Sequence, residues 1–407
     1  MVPRFEAQPQ LLADPTFAPL AWVRRLVQVR AQLMAQDIII NGKFLRASMT
    51  GVHRVAFEIC NALADMQAAG DTRLQGRSFE VWHSADGREA ARDIRLPTRE
   101  IGPLDSIPWE QLTLPIKQDE RLLLSLCNIG PMLSANAVTM IHDAQVSLSP
   151  KSYSLPFRLW YKLVQGVLTR RNRALLTVSD YSREQIAKAG IAPVESIHTI
   201  HNGVDHVLRE PADRSILARL PLGGTPFALA LSTTQEHKNI GVLLRAFARP
   251  ELAGMKLVLF GSTGKQAFLD AGHDVPDNVV FAGRISDGEL RALMEEALAL
   301  AFPSTTEGFG LPPLEAMLLG TPAVCAPCGA LPEVCGDAAL YADPHSPEEW
   351  ARALAGLAAD PTQVAALGAA GTAQAQRFTW RNAALQVLEV LDNIEAVRPH
   401  QQQVQAA

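Results

Sequence analysis

The sequence predicts an α/β fold of two doubly wound, Rossmann-like domains facing each other across a cleft. Three observations point to it. Short apolar runs of strand length alternate with helix-length stretches, which is the pattern of βα units with a parallel sheet. The alternation breaks after Asn202-Gly203-Val204-Asp205, crosses a Pro- and Gly-bearing segment, and then restarts. A length of 407 residues suits two domains, each able to bury its own core.

In chain order, residues 1–36 form an N-terminal extension with one amphipathic stretch, Ala21–Arg30. Three readings stand for it: a helix lying on a membrane, a helix packed on its own domain, or translation from a start codon placed too far upstream. An N-terminal, acceptor-binding domain is expected over 37–205. Its strands are expected at Asp37–Asn41, Phe79–His83, Leu122–Cys127, Val138–His142, Ala174–Ser179 and Ser196–His201, with a helix over Val52–Met66. Residues 206–226 read as the linker and 227–379 as the C-terminal domain. Strands are expected there at Phe227–Ser232, Lys256–Gly261, Asn278–Ala282, Ala297–Pro303, Ala323–Ala326 and Ala339–Ala342. A last helix, 380–398, is apolar on one face and packs back on the pair, and 399–407 reads as a frayed tail.

Composition narrows the function classes. Net charge is −5, but residues 1–200 carry 23 basic and 19 acidic residues while 201–407 carry 14 and 23. An acidic C-terminal half argues against nucleic acid as a partner, and the basic half invites an anionic surface. Five cysteines, at 60, 127, 325, 328 and 335, are an odd number, and Cys325-Ala326-Pro327-Cys328 has no second CxxC. Buried free thiols and a reducing cytoplasm follow. No apolar run approaches the roughly 20 residues of a membrane span, and the N-terminus lacks the layout of a signal peptide. The expectation is a cytoplasmic protein, soluble or peripheral on the inner face of the cytoplasmic membrane. Between Asp143 and Asp180 there is no acidic residue, while Lys151, Arg158, Lys162, Arg170, Arg171 and Arg173 interleave with Phe157, Leu159, Trp160, Leu163 and Val167. That segment reads either as an anionic-membrane contact or as a helix with ordinary core on one side and solvated charge on the other.

The stretch from Ser304 to Pro322 carries the chemistry. Glu307 and Glu315 are separated by seven residues and split by Gly308-Phe309-Gly310, with Pro312-Pro313 suited to the first turn of a helix and Gly320 to its end. A glycine loop feeding a helix N-terminus suits a phosphate. Glu315, expected in the helix's first turn, would repel a diphosphate at contact and so is assigned to sugar hydroxyls; Glu307 on the loop reaches a second set. Lys238 follows the first strand of the second domain, where an ammonium stabilises a departing diphosphate. His142-Asp143 ends a strand of the first domain, at the edge where doubly wound sheets place ligands.

These residues resemble the donor site of retaining family-4 glycosyltransferases (glycosyl transferases group 1) of the bacterial polysaccharide-assembly type, whose signature is Glu, seven residues, Glu. The likeness continues through Pro322–Val334 and Gly336–Ala339 and spans about 37–395. It implies a glycosyltransferase-B fold and a retaining, metal-independent hexosyltransferase. The donor would be a nucleotide-diphosphate sugar and the acceptor a glycan or lipid-linked glycan in polysaccharide biosynthesis, with no further cofactor. Residues 41–46 and 50–54 resemble a subgroup that often transfers mannose. The resemblance assigns His142 to the sugar beside the anomeric centre, Lys238 to the phosphate and Glu307 to the transferred sugar. It assigns donor binding to Gly51, Ser232, Arg284, Ile285, Phe309, Gly310, Leu311 and Glu315. Many relatives carry an Arg where this chain has Thr233, and His237 or Arg284 would substitute. No Asp-x-Asp occurs, so a divalent-metal clamp has no obvious ligands. Rival readings are a nucleotide-sugar epimerase on the same frame, a glycoside hydrolase with the two glutamates about 5–9.5 Å apart, and a non-catalytic sugar binder.

Overall fold

A computed structural model describes residues 36–46, 50–148 and 154–396. The amphipathic stretch at 21–30, Ser48 and Met49 of the first glycine loop, Lys151 and the tail at 399–407 lie outside the described residues. Two parallel sheets form the frame. The first contains β1 (Gln36–Asn41), β2 (Arg77–His83), β3 (Thr98–Glu100), β4 (Leu122–Ser125), β5 (Ala137–Met140), β6 (Ala174–Thr177) and β7 (Ile197–Thr199), in the order β3-β2-β1-β4-β5-β6-β7. The second contains β8 (Phe227–Leu231), β9 (Lys256–Phe260), β10 (Val279–Gly283), β11 (Ala299–Phe302), β12 (Ala323–Cys325) and β13 (Leu340–Tyr341), in the order β10-β9-β8-β11-β12-β13. Strand order reverses between β1 and β4 in one sheet and between β8 and β11 in the other. Those switch points are where ligands of such sheets bind.

The helices that bear on the site are α1 (Gly51–Ala68), α2 (Leu155–Arg171), α3 (Asp180–Lys188), α4 (Ile240–Phe247), α5 (Asp287–Glu296), α6 (Leu311–Leu318) and α7 (Trp380–Ala396). Local chemistry sets their starts. The Ser179 hydroxyl caps α3 by accepting from the Ser182 N–H, and Ser286 with Glu289 forms a full capping box on α5. Gly310 enters α6 at φ +102°, a conformation that side-chain-bearing residues rarely adopt and glycine does without strain, and a Cβ there would also push Leu331 Cδ2 aside from 2.6 Å.

Most strands are a residue or two shorter than their apolar runs. Cys127, His142, Ser179 and Ser232 lie past the last paired residue, on loops at the carboxyl edge. β3 was not expected: all three of its residues are exposed, so no apolar run marks it.

One apolar cluster runs from β1 and α1 through Val387, Leu388 and Leu391 of α7 to Leu314 and Met317 of α6. The two halves therefore share a core. At the crossing, the Val204 N–H bonds the Phe378 carbonyl (3.0 Å) and the Trp380 N–H bonds Asp205 Oδ1 (2.8 Å). A Cβ on Gly203 would lie 2.1 Å from the Trp380 nitrogen and 2.4 Å from the Thr379 carbonyl carbon. Gly203→Ala is expected to cost about 1–3 kcal/mol or more, the penalty of forcing atoms into a filled interior. A wild-type midpoint in chemical denaturation would contradict this account of the crossing.

Candidate active site

Lys238 and Glu307 meet at the switch point of the second sheet, on the loops after β8 and β11. Lys238 Nζ lies 2.6 Å from Glu307 Oε1, with the side chains 19% and 12% exposed, and 5.7 Å from the centre of the Phe302 ring. The neighbouring backbone pins the two loops together. Asn239 adopts a left-handed conformation (φ 54°) and its amide donates to the carbonyls of Pro303 (3.2 Å) and Pro344 (2.7 Å). The Thr305 N–H bonds the His237 carbonyl at 2.8 Å.

The first sheet's loops close on this pair. A Cβ on Gly308 would lie 3.0 Å from the His142 carbonyl oxygen and 3.3 Å from Asp143 Cβ. The Gly308 carbonyl accepts from the hydroxyls of Ser179 (2.6 Å) and Ser182 (3.1 Å) at the start of α3. His142 is buried, and its Nε2 lies 2.8 Å from the Leu126 carbonyl. A carbonyl only accepts, so Nε2 carries the proton and Nδ1 is left as an acceptor. Burial lowers the His142 pKa to about 4. A neutral imidazole with so low a pKa is a poor general base at neutral pH but can accept a hydrogen bond from a sugar hydroxyl. Burial and the nearby charge of Glu307 raise the Asp143 carboxyl above its ordinary value.

Glu315 corrects one expectation. The helix begins at Leu311, so Glu315 is its fifth residue and lies in the second turn rather than the first. It is buried, with Oε1 3.1 Å from His206 Nε2, and His206 Nδ1 accepts from Trp380 Nε1 at 3.1 Å. The indole fixes the tautomer, and the imidazole donates to the carboxylate. Pro312 and Pro313 have no N–H, so the backbone donors at the start of α6 are those of Gly310 and Leu311.

The remaining expected residues fall as follows. A Cβ on Gly51 would meet only Leu311 Cδ1, at 3.8 Å, so the two glycine loops face each other with no steric need for glycine at 51. The buried Ser232 donates to the Thr263 carbonyl at 2.5 Å and can offer a ligand only its lone pairs. Arg284 is exposed and Ile285 is half-buried just ahead of α5. The Phe309 ring is buried against Phe378 (centroids 5.7 Å apart) and His201 (6.3 Å), so this residue offers a ligand its backbone rather than its ring. Of the two substitutes for the cation missing at Thr233, His237 is held neutral at pH 7 by burial and the adjacent Lys238.

Sequence reasoning missed three residues. Arg54, from α1, reaches across the cleft to Asp287 of α5 (2.9 Å) and lies within electrostatic range of Glu315. Its place on the helix opened by Gly51 was the available signal. Glu333 accepts from the N–H groups of Asp180 and Tyr181 (both 2.9 Å) and from His201 (3.0 Å), joining the second half to the start of α3. His206 lay in the expected linker, where nothing marked it as a partner of Glu315. The cysteines are free thiols; Cys325 and Cys335 are buried side by side, and their mutual hydrogen bond and burial raise the Cys325 pKa well above its ordinary value.

By fold the chain is similar to two-domain glycosyltransferases. It superposes on Alr3699/HepE of Anabaena, solved in complex with UDP and glucose, with a TM-score of 0.67 at 21% identity, covering 88% of this chain and 100% of that one. The profile described as "Glycosyl transferases group 1" matches residues 213–374. O-antigen chain mannosyltransferase B of Escherichia coli is 33% identical over 270 residues, or 62% of this chain and 69% of that protein. MMP alpha-(1->4)-mannosyltransferase of Mycolicibacterium hassiacum is 33% identical over 283 residues, covering 66% and 67%. The chain belongs to the group 1 glycosyl transferases and is a glycosyltransferase.

The lowered pKa of His142 has a measurable consequence. The unfolded imidazole binds a proton near pH 6.5 and the folded one near 4, so between these values the unfolded state holds more protons and stability falls as pH falls. The loss is expected to reach on the order of 3 kcal/mol by pH 4. His142→Asn, which cannot titrate, should show a flatter pH dependence of its unfolding midpoint over this window. Parallel profiles for the two proteins would count against the assignment.

Proposed function

We propose that this glycosyltransferase moves a hexose, mannose, with retention of configuration and without a metal, from a nucleotide-diphosphate sugar to a glycan or lipid-linked glycan in polysaccharide assembly. The observation that carries the reading is the Lys238–Glu307 pair, set at the switch point of the second sheet and facing His142 across the Gly308 contact. A half-buried ammonium needs a counter-ion. At rest Glu307 supplies it; with donor bound the diphosphate replaces it, and Glu307 is released to accept hydrogen bonds from the sugar. Arg54 and the backbone N–H groups of Gly310 and Leu311 add positive potential to the same crevice. As the bond from the anomeric carbon to the phosphate oxygen breaks, a bond to the acceptor oxygen forms on the same face. The acceptor's proton passes to the departing phosphate oxygen, and Lys238 stabilises the charge that develops there.

Both relatives named above carry mannosyltransferase names, which supports mannose, and neither carries an epimerase name. Glu307 and Glu315 are engaged by Lys238 and His206 respectively, which disfavours a hydrolase that needs both carboxyls free.

Nucleotide release from a panel that includes GDP-mannose and UDP-glucose tests the reading, with GDP-mannose expected to be consumed. Lys238→Ala should lower kcat by a factor equivalent to about 3 kcal/mol, and EDTA should leave the rate unchanged. Near wild-type turnover in Lys238→Ala, or loss in EDTA restored by Mg²⁺, would overturn the phosphate role or the metal independence respectively.

A specific observation supports a membrane-borne acceptor. Leu155, Leu159 and Leu163, one face of α2 at i, i+4 and i+8, are 56–61% exposed and interleave with Arg158 and Lys162. Arg173, at the other end, bonds the Ile394 carbonyl (3.5 Å) instead of standing out with them. Among the described residues no helix is long and apolar enough to cross a membrane. Such a stripe suits interfacial docking, at about 1 kcal/mol for each basic residue near an anionic leaflet. Flotation with phosphatidylglycerol vesicles should carry the protein up at low salt, and a Leu155/Leu159/Leu163→Ser variant should stay down. Equal behaviour of the two proteins would remove the stripe from the reading.

A further inference from the structure

A pocket of about 180 Å³ opens at the switch point of the first sheet, between the loops that follow β1 and β4. Neither Lys238 nor Glu307 lines it, but it is linked to His142. Leu126, whose carbonyl holds the His142 imidazole, forms part of its wall, and His53 forms another part while lying close enough to His142 to depress its pKa further.

The pocket is built around a buried charge. Glu110 is 1% exposed, yet its carboxylate borders the cavity, with Oε1 accepting from Asn41 Nδ2 (2.9 Å) and Oε2 from Lys43 Nζ (2.5 Å). A π-helical turn, Trp109–Thr113, aims it inward, anchored by the fully buried Trp109, whose indole donates to the Ile101 carbonyl at 2.9 Å. Such turns are uncommon and frequent at functional sites. Burying a carboxylate, an ammonium and an amide together is costly where an apolar cluster would pack as well, so stability alone does not account for the choice. Phe44, Ile129 and the Tyr161 ring add apolar surface to the lining.

We propose that this pocket holds the terminal sugar of the acceptor: one pyranose ring, its hydroxyls on Glu110, Asn41 and Lys43 and its apolar face on Ile129 and Tyr161. The proposal rests on the transferase reading above and deepens it. Both Asn41 N–H groups are spent on Glu110 and Ser125, so the acceptors for a vicinal diol are the remaining lone pairs of Glu110 Oε1 and Asn41 Oδ1, and the donors are the Lys43 N–H groups not given to Glu110. A lining that joins apolar surface to polar groups matches a sugar ring, which has C–H groups on its faces and hydroxyls on its rim. The volume lies below the usual 300–1,000 Å³ of sites for larger ligands, which limits the occupant to a single ring and leaves the rest of the chain outside. Tyr161 sits on α2, and its ring is 4.5 Å from that of Phe157. A lipid-linked glycan seated here would thus leave the pocket beside the exposed leucines of that helix.

The test uses methyl glycosides of mannose, glucose, galactose and N-acetylglucosamine as probes, by saturation-transfer NMR without donor and as acceptors with the nucleotide sugar. At least one should give a saturation signal in the wild-type protein. Glu110→Gln removes the carboxylate at constant shape, and Tyr161→Ala removes the ring at a half-exposed position that folding tolerates. Each should raise the KM for that glycoside about tenfold or more, as expected when a substrate hydroxyl or contact face loses its partner, while moving the KM for the nucleotide sugar less than about twofold. Unchanged acceptor KM and saturation signal in both variants would overturn the proposal, as would a larger effect on donor than on acceptor. The two readings fail differently: no consumption of any nucleotide sugar removes the transferase reading, whereas donor consumption with no glycoside bound removes only the pocket.

Discussion

The contact between residues 203–206 and the start of α7 sets the geometry on which the site depends. At Gly203 the absence of a side chain lets two backbones approach to a distance that no Cβ would permit. From that approach follow the Val204 bond to Phe378 and the Asp205 cap on Trp380. His206 is then oriented by an indole on one nitrogen and delivers its other nitrogen to Glu315. A chain of three short contacts therefore runs from the crossing of the two halves to the second signature glutamate. The helix that returns to the first half thus shapes a carboxylate of the second.

This coupling explains why one apolar cluster is shared between the halves, beside further clusters that each half keeps to itself. Three polar contacts reinforce it at the cleft: Arg54 with Asp287, Glu333 with the start of α3, and the Gly308 carbonyl with Ser179 and Ser182. Their partners are backbone groups or exposed charges, so each is worth little alone. A seam held by a strong crossing and several weak cleft contacts can open at the cleft while the crossing holds, which is what admission of a charged donor between two sheets requires.

Much of this was legible in the sequence for a physical reason. Strands of a parallel sheet are buried on both faces, so most read as largely apolar runs, and among the described residues twelve of the thirteen strands coincide with an expected one. β3, exposed at the sheet edge, had no such signature. Lys238, Glu307 and His142 were legible because a charge or imidazole directly after a buried strand stands out. The sequence could not show what depends on long-range approach: the start of α6 that puts Glu315 a turn deeper, the burial of the Phe309 ring under Phe378, and His206 as a partner. Nor did anything mark Glu110, since an acidic residue in an irregular stretch is ordinarily solvated.

The electrostatic arrangement of the cleft is consistent with this division. Lys238 and Glu307 are largely shielded from water and neutralise each other, so the resting site presents little net charge at its centre. The pair at 2.6 Å gains its Coulomb energy in a medium of reduced dielectric, and a single negative group displacing Glu307 would gain about as much. In the proposed donor complex a diphosphate would bring more than one charge, and its second charge would meet the Gly310 and Leu311 N–H groups at the start of α6, which the ammonium has not used; Arg54 is already held by Asp287. On the proposed reading, donor binding would be favoured over the resting pair by the second phosphate more than by the first. Breaking the pair also frees a carboxylate at the place where the sugar's hydroxyls arrive. On the proposed reading, phosphate recognition and sugar recognition would be two consequences of one exchange of partners.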